Sequence, residues 1–318
     1  MSPLQKRSLG DSGLKIAPLV FGGNVFGWTA DRERSFQLLD AFVDAGFDAI
    51  DTADSYSRWV PGHEGGESET IIGEWLAARG RRDAVKIFTK VGSDMGQGHN
   101  DLSPGWIERA VEDSLRRLRT DVIDLYQAHW PDPRTPQEET LRAFDRLVQA
   151  GKVRAIGLSN HDAVQTTEAL DISAREGLAA YASLQPHYNL YSRDTFEGAL
   201  QDLAVERGLG VITYFSLEAG FLTGKYKTAE QVAGTAREGM LKDKFDERGV
   251  RILAVLDAVA QRNEATPAQV SLAWLLSRPG VTAPIVSATS VEQLADTLKA
   301  ATLVLSDDDL AELTEASA

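Results

Sequence analysis

Residues 47–56 read FDAIDTADSY, and this stretch holds the pattern that decides the fold. A short apolar run ends on the carboxylate of Asp51, a turn of small residues follows, and Tyr56 comes five residues after the aspartate. The run is typical of a buried strand, whereas Asn, Asp and Gly alone would be enough to form the turn after it. The position of Tyr56 therefore needs an explanation beyond turn formation.

Similar short runs recur along the chain and alternate with helical stretches. The other runs are PLVFGG (18–23), AVKIFTK (84–90), VIDLYQAH (122–129), VRAIGLSN (153–160), YASLQP (181–186), GVITYFS (210–216) and TAPIVS (282–287). This alternation is typical of repeated βα units and a parallel sheet, and eight runs predict an α/β fold of the (β/α)8 TIM barrel type. An open doubly wound sheet would alternate in the same way, but its G-x-G-x-x-G fingerprint is absent from this chain.

The length of the chain and the absence of a linker favour one domain. At 318 residues it exceeds the usual single domain, although α/β barrels of this size form one unit. No low-complexity tract or linker divides residues 1–318, and the long irregular stretch is roughly 217–247. The stretches TPQE (135–138) and TPAQ (266–269) each predict a helix start, with a hydroxyl N-cap, proline at the first helical position and a capping box.

Composition excludes several classes of function. The net charge of −14 would repel a phosphate backbone, so no nucleic-acid partner is expected. The absence of cysteine excludes disulfides, thiolate nucleophiles and thiolate metal ligands, and no metal site is predicted. No apolar run is long enough to span a membrane, and the N-terminus lacks the apolar core of a signal peptide, so we expect a cytoplasmic protein with no membrane partner.

Titratable residues lie where the predicted strands end. The carboxyl ends of barrel strands converge on one face, so Asp51, Lys90 and His129 should meet there. An isolated buried ammonium is costly to desolvate, and Asp51 on the neighbouring strand can supply the carboxylate that Lys90 needs. We expect Tyr56 to hydrogen-bond to that ammonium, which would favour the phenolate and lower a pKa that is ordinarily near 10.

This arrangement would make Tyr56 a proton donor to a developing alkoxide, with His129 donating to or orienting the same oxygen. Each residue also has an ordinary interpretation. Asp51 could form a turn or an ion pair, Lys90 could extend its ammonium towards solvent, His129 could be a loop hydrogen bonder, and Tyr56 a pocket wall. Four titratable residues at the ends of three consecutive strands favour catalysis over these alternatives.

With these residues in view, the chain resembles the aldo-keto reductase superfamily over nearly all of its length. The matching stretches are FGGNVFG (21–27), DTADSY (51–56), GESETIIGEWL (66–76), FTKVG (88–92), DLYQAHWPD (124–132), GKVRAIGLSN (151–160), LQPHYNLYSR (184–193) and LTGKY (222–226). The stretches at 66–76 and 222–226 are similar to the bacterial and potassium-channel β-subunit branch. The resemblance implies a TIM barrel with an N-terminal β-hairpin and extra helices, and a catalytic tetrad of Asp51, Tyr56, Lys90 and His129.

The resemblance also implies a nicotinamide cofactor bound without a Rossmann fold. Ser159, Asn160 and Gln185 would bond the carboxamide and Tyr214 would stack on the nicotinamide ring, although a buried strand aromatic is the alternative for Tyr214. The stretch 217–247 would close over the cofactor. The pyrophosphate would be wrapped by Ser216, Leu217, Gly220, Leu222 and Gly224. Further cofactor contacts are implied for Gly22, Phe215, Lys225, Ser287, Thr289, Gln293, Asp296 and Thr297.

The adenosine end departs from the family pattern. A basic pair there usually holds the 2′-phosphate of NADPH, but no Lys or Arg lies between Arg278 and Lys299. Ser287 and Gln293 stand where basic residues are expected, and Thr297 where an Asn commonly contacts adenine. Hydroxyl groups and a helix N-terminus can still bind a phosphate. We therefore expect NADPH, with NADH left open.

The predicted activity is NAD(P)H-dependent reduction of a small-molecule aldehyde or ketone. The substrate pocket is predicted to include Asn24, Trp28, Trp59, Trp130 and Tyr188, although the tryptophans could equally be packing residues. Two alternatives stay open. One is an alcohol or sugar dehydrogenase that works in the oxidative direction, and the other is a cofactor-binding regulatory subunit. The oligomeric state is left open.

Overall fold

The computed structural model describes residues 4–235 and 237–318. Two short strands form an antiparallel hairpin, and eight parallel strands follow in the closed order β10-β3-β4-β5-β6-β7-β8-β9. The bounds are β1 Arg7–Ser8, β2 Lys15–Ile16, β3 Val20–Gly22, β4 Ala49–Asp51, β5 Lys86–Val91, β6 Ile123–Ala128, β7 Val153–Ser159, β8 Tyr181–Gln185, β9 Gly210–Thr213 and β10 Val281–Val286. The predicted TIM barrel, with its hairpin, is confirmed.

Helices surround the barrel and cover its outer face. Their bounds are α1 Arg32–Asp44, α2 Glu67–Arg79, α3 Pro104–Leu118, α4 Gln137–Gln149, α5 Ala163–Glu176, α6 Ala199–Glu206, α7 Glu238–Leu241, α8 Glu247–Arg262, α9 Pro267–Ser277, α10 Val291–Leu298 and α11 Asp307–Ala316. Within the described part of the chain, no helix is both long enough and apolar enough to cross a bilayer.

The two predicted capping boxes have different outcomes. Thr266 caps α9 and forms a capping box with Gln269, as expected. The prediction for Thr135 is wrong, because its hydroxyl donates to Asp132 at 2.7 Å and α4 begins after Pro136 without a side-chain cap. A nearby carboxylate has therefore taken the hydroxyl that would otherwise have capped the helix.

The predicted irregular stretch 217–247 contains short helical turns. Besides α7, 3-10 turns span Glu218–Thr223, Ala229–Val232 and Lys242–Lys244. The stretch lies between β9 and α8, so it follows the carboxyl end of a barrel strand, which is the face where the other predicted site residues lie.

The core has two layers, one inside the barrel and one between strands and helices. Small and large side chains from seven of the strands fill the interior, including Val20, Ala49, Phe88, Leu125, Ala155, Ile212 and Ala283. Leu9, Leu14 and Ile16 of the hairpin join them from the amino-terminal end. A packed interior leaves the carboxyl-terminal face as the place for a site.

The hairpin closes the floor of the barrel by close backbone contact. A Cβ atom on Gly10 would lie 2.1 Å from the carbonyl oxygen of Ala182 and 2.7 Å from the amide nitrogen of Gly210, so only glycine fits there. Arg7 Nη1 donates to the carbonyl oxygens of Leu276 at 3.1 Å and Val281 at 3.3 Å. The hairpin thus joins the amino-terminal ends of β8, β9 and β10.

Candidate active site

Three adjacent strands bring the four predicted catalytic side chains together. Lys90 Nζ lies 2.6 Å from Asp51 Oδ2 and 2.8 Å from Tyr56 Oη, and it also donates to the carbonyl oxygen of Thr52 at 2.8 Å. The Lys90 side chain is 0% exposed. All three donor positions of the ammonium are therefore used, which is the condition for holding a charge in the interior.

The second oxygen of Asp51 is held from the far side of the barrel. Gln185 Nε2 donates to Asp51 Oδ1 at 2.9 Å, and Gln127 Nε2 lies 3.3 Å from the same oxygen. Gln185 was predicted to bond the carboxamide, and the structure places its amide beside the tetrad, where it also donates to Gln127 Oε1 at 3.1 Å. Sequence reasoning missed Gln127, although it pairs with Lys90 in the β5–β6 register and is a polar residue in a buried strand.

The prediction that Lys90 lowers the pKa of Tyr56 is wrong. Burial is the main cause that raises the pKa of Tyr56 well above 10, and the Asp51 carboxylate, 3.3 Å from Tyr56 Oη, acts in the same direction. The physical reason is that Asp51 already balances the charge of Lys90, so a phenolate would be a second buried anion. Tyr56 therefore holds its proton while the site is at rest.

His129 is held as a neutral imidazole. Burial lowers its pKa well below 6.5, and the charge of Lys90 lowers it further. Its Nδ1 lies 2.8 Å from Ser93 Oγ, and the Tyr56 and His129 ring centroids are 6.1 Å apart. Sequence reasoning missed Ser93, whose signal is a hydroxyl two residues after β5 ends.

Aromatic side chains surround the tyrosine. Trp59 lies 6.0 Å from Tyr56 and 5.7 Å from Trp28 between ring centroids, and Trp130 stacks on His129 at 6.1 Å. Trp59 is 50% exposed and Trp130 is 41% exposed, so both stand at the mouth of the site. Three of the five predicted pocket residues are thus brought together around Tyr56.

The other two predicted pocket residues lie elsewhere. Tyr188 is 0% exposed and packs on Phe196 and Trp274, with its hydroxyl donating to Glu197 at 2.7 Å. It cannot form a pocket wall, because its ring is enclosed in the layer between strands and helices. The Asn24 side-chain amide lies 2.7 Å from Ser287 Oγ, which places Asn24 at the seam between β3 and β10.

The residues predicted for the nicotinamide end follow β7 and β9. Asn160 Nδ2 donates to the carbonyl oxygen of His129 at 2.8 Å, and its Oδ1 accepts from the Tyr214 hydroxyl at 2.8 Å. Ser159 Oγ donates to the carbonyl oxygen of Gln185 at 2.7 Å. The half-buried Tyr214 ring therefore adjoins the tetrad through Asn160 and His129.

The stretch 215–225, which contains the residues predicted to wrap the pyrophosphate, is tightly wound. Gly220 and Gly224 have φ values of 101° and 68°, and Leu222 is fully buried. Phe215 and Lys225 are exposed, Leu217 is partly buried, and Ser216 Oγ donates to the carbonyl oxygen of Thr213 at 2.9 Å.

Arg237 is a further residue that sequence reasoning missed, because no motif marks it. Its Nη1 donates to the carbonyl oxygen of Ala219 at 2.5 Å. A Cβ atom at Gly220 would lie 3.2 Å from this nitrogen, so the guanidinium packs closely against the glycine. Burial lowers the pKa of Arg237, yet a guanidinium stays charged near neutral pH.

The residues predicted for the adenosine end are neutral except for Asp296, and none of them is basic. Ser287 Oγ donates to the carbonyl oxygen of Gly22 at 2.7 Å, and Gln293 Oε1 accepts from the Thr289 hydroxyl at 3.0 Å. Asp296 is bonded to Gln269 and Thr266 of the α9 cap, and Thr297 is buried. The N-terminus of α10 is capped by Ser290, so its first backbone N–H groups face this end.

A second buried acid lies close to the tetrad. Asp54 is 3% exposed, and neither of its carboxyl oxygens has a hydrogen-bond partner among the described residues. Burial, with the charge of Glu69 adding to it, raises the pKa of Asp54 to about 8. Glu69 itself accepts from Thr89 and from Arg117, so it is paired where Asp54 is not.

Known proteins share the sequence pattern of this chain over most of its length. The sequence profile of the Aldo/keto reductase family matches residues 18–318. YrpG, an uncharacterized oxidoreductase of Bacillus subtilis (strain 168), is 36% identical over 309 residues, which cover 95% of this chain and 92% of that protein. Protein tas of Escherichia coli (strain K12) is 30% identical over 337 residues, 98% and 96% of the two chains. A probable voltage-gated potassium channel subunit beta of Oryza sativa subsp. japonica is 33% identical over 311 residues, 93% and 91% of the two chains. The resemblance read from the sequence is therefore confirmed, and the chain belongs to the aldo/keto reductase family.

Proposed function

We propose that this chain is an NAD(P)H-dependent oxidoreductase that reduces an aldehyde or a ketone to an alcohol. The observation that carries the proposal is the buried Lys90 ammonium, 2.6 Å from the Asp51 carboxylate and 2.8 Å from the Tyr56 hydroxyl. A phenol beside a fixed cation, at the foot of an aromatic cleft, is suited to giving its proton to a substrate oxygen.

The proton moves from Tyr56 to the carbonyl oxygen of the substrate. Because burial and Asp51 hold the pKa of Tyr56 above 10, the phenol is fully protonated when the substrate arrives. Once the proton has left, the charge on Oη is 2.8 Å from Lys90 Nζ, so the ammonium stabilises the phenolate. Asp51 is held at its other oxygen by Gln185, so the carboxylate keeps the ammonium in place during this change.

His129 positions the substrate oxygen. When the Ser93 hydroxyl donates to Nδ1, the ring hydrogen is on Nε2, which is then a donor for the substrate carbonyl. The lowered pKa of His129 keeps the ring neutral, so it can orient the oxygen without competing with Tyr56 as the proton donor. Two donors at one oxygen stabilise the negative charge that develops there.

The residues at the adjoining strand ends fit a nicotinamide dinucleotide. Asn160 and Ser159 supply polar groups for a carboxamide, Tyr214 supplies an aromatic face, and Arg237 supplies a cation next to Gly220. A bound reduced nicotinamide would supply the hydride. We assign Arg237 to a phosphate of the pyrophosphate, because it is tied to the stretch 215–225 through the Ala219 carbonyl oxygen.

For the choice of nucleotide we propose NADPH, with a modest preference over NADH. Ser287, Gln293 and the N-terminus of α10 offer hydroxyl, amide and backbone groups to a 2′-phosphate, but no guanidinium from that segment. For the substrate we propose an apolar or flat carbonyl compound, since Trp28, Trp59 and Trp130 surround the proton donor.

The test is nucleotide binding followed by turnover. Binding of NADPH and NADH would be measured by quenching of the tryptophan fluorescence. Oxidation of the bound nucleotide would then be followed by absorbance with a panel of aromatic and aliphatic aldehydes and ketones. Turnover that is lost in Tyr56→Phe supports a reductase. Tight nucleotide binding without turnover in either direction would contradict it and favour a cofactor-binding subunit, and turnover with alcohols alone would favour a dehydrogenase.

A further inference from the structure

A buried carboxylate behind the predicted nicotinamide platform has no part in the chemistry described so far. Glu218 is 5% exposed. Its Oε2 accepts from His187 at 2.9 Å, Asn189 at 2.6 Å and Ser192 at 3.0 Å, and its Oε1 pairs with Lys244 at 2.7 Å. Burial alone would raise the pKa of Glu218, but the hydrogen bonds from His187, Lys244 and Asn189 outweigh it and lower the pKa to about 2. The side chain is thus a fixed negative charge.

His187 connects this charge to the ring of Tyr214. The two rings are stacked, with centroids 5.3 Å apart and an interplanar angle of 23°, and a parallel β-bridge joins the same two residues through the backbone. On its other side, the Tyr214 hydroxyl donates to Asn160 at 2.8 Å. The orientation of the Tyr214 ring is therefore set by His187 at one face and by Asn160 at the hydroxyl.

The backbone around Glu218 is strained. Phe215, Glu218 and Ala219 have φ values of 50°, 47° and 53°, in the left-handed region that residues other than glycine rarely adopt. Such a conformation persists where surrounding contacts determine it, and it is common at functional sites. Here Asn189 bonds both Glu218 and the carbonyl oxygen of Phe215, the latter at 2.9 Å.

We propose that Glu218 is a positioning residue that, through His187, fixes the Tyr214 ring on which the nicotinamide stacks. The inference rests on the proposed function, since Tyr214 has this role only if a nicotinamide cofactor binds. The two carboxylate oxygens of Glu218 have different partners. Oε2 holds the residues that follow β8, among them His187, whereas Oε1 holds Lys244 in the stretch 217–247.

The test compares two ligands that differ at the nicotinamide. NADPH and 2′-phospho-ADP-ribose share the adenosine and its phosphates, but only NADPH has the nicotinamide ring. Glu218→Gln and His187→Ala should each weaken NADPH binding about threefold to tenfold, the size of an aromatic stacking contribution, and leave 2′-phospho-ADP-ribose unchanged. Lys244→Met removes the other ion pair of Glu218 and should leave the ratio of the two dissociation constants as in the wild type.

The outcomes separate this inference from the proposed function. Equal weakening of both ligands would show that Glu218 acts through the stretch 217–247 as a whole, and would overturn the inference, as would unchanged NADPH binding in both variants. A wild type that binds neither ligand would instead overturn the proposed function. If Glu218→Gln does not fold, as judged by its thermal unfolding, His187→Ala decides the question, because it leaves the buried carboxylate with Asn189, Ser192 and Lys244.

Discussion

The two ends of the proposed cofactor cleft are built in opposite ways. At the tetrad end, Lys90 and Asp51 are buried, bonded to each other and held by further side chains from neighbouring strands. At the adenosine end, Ser287 and Gln293 are neutral and partly or fully exposed; Ser287 donates to the Gly22 carbonyl oxygen, and Gln293 accepts from the nearby Thr289. Burying fixed charges costs folding free energy at the tetrad end, and the exposed neutral residues of the adenosine end carry no such cost.

This difference follows from what each end has to do. Stabilising a developing charge requires an oriented ammonium in a low-dielectric site, where an electrostatic interaction is strong and does not need to reorganise. Holding the adenosine end requires only affinity, and exposed contacts there are weakened by solvent and salt. Substitutions at the tetrad end should therefore have large effects, and those at the adenosine end small ones.

The largest effect is expected for Tyr56→Phe. Loss of the positioned acid should lower kcat by ~10² to 10⁴ while NADPH binding stays nearly unchanged. Tyr126→Phe is the matched control, because it removes a buried hydroxyl that has no partner among the described residues. Steady-state rates and fluorescence titration of both variants measure the contrast. Activity of Tyr56→Phe within a few-fold of the wild type would contradict the assigned role.

The next effect concerns stability at the tetrad end. Lys90→Met leaves Asp51 buried without its cation and should lower the free energy of unfolding by about 3–5 kcal/mol, besides abolishing most activity. Lys86→Met, at the other end of β5, should cost about 1 kcal/mol or less, because Asp48 keeps Lys6 and the Ala17 amide. Urea unfolding measures both values, and equal losses would mean that burial does not distinguish the two ion pairs.

A pH-dependent effect should come from Asp54, beside the tetrad. The folded-state pKa of Asp54 is about 8, above its ordinary value, because the folded protein favours the protonated carboxyl group. The stability that this protonation contributes is fully present below about pH 4 and is lost as the pH rises through about 8. The loss is at most about 1.4 kcal/mol per pH unit. The unfolding free energy of Asp54→Asn relative to the wild type should thus rise from pH 5 to pH 8. A difference that does not change with pH would show that Asp54 is ionised in the folded protein.

The smallest effect is expected at the adenosine end. Gln293→Arg should raise the preference for NADPH over NADH by roughly threefold to tenfold, because a guanidinium at an exposed position adds one solvent-screened phosphate contact. Arg237→Gln should instead weaken both nucleotides by a similar factor, since the pyrophosphate is common to both. Dissociation constants of the wild type and both variants for NADPH and for NADH test this. A wild-type preference of a thousandfold or more, about 4 kcal/mol, would mean that another group binds the 2′-phosphate.

The parts of the structure that depend on short stretches were predictable from the sequence. The barrel strands follow from apolar runs of the right length, and the meeting of Asp51, Lys90 and His129 follows from the rule that parallel strands end on one face. The family resemblance added the hairpin, which the run pattern alone does not contain.

The parts that depend on the surroundings were not predictable. Tyr188 lies in the family-like stretch 184–193 and was predicted for the substrate pocket, yet its ring packs in the helical layer against Trp274. The pKa of Tyr56 depends on how deeply it is buried, which spacing does not reveal. Arg237 contacts Ala219, and Glu218 contacts Lys244, and no spacing or motif of the sequence marks these pairs, which are separated along the chain.

The hairpin at the barrel floor has a consequence for the order of folding. Its residues come first in the chain, but Gly10 and Arg7 contact β8, β9 and the region that begins β10, and β3 closes the ring by pairing with β10. These contacts join opposite ends of the sequence, and pairings of such high contact order form slowly, because a long loop must be closed first. We therefore expect the floor and the β3–β10 seam to form after the central strands. During synthesis, Leu9, Leu14 and Ile16 then lack part of their packing partners until the last strand has left the ribosome.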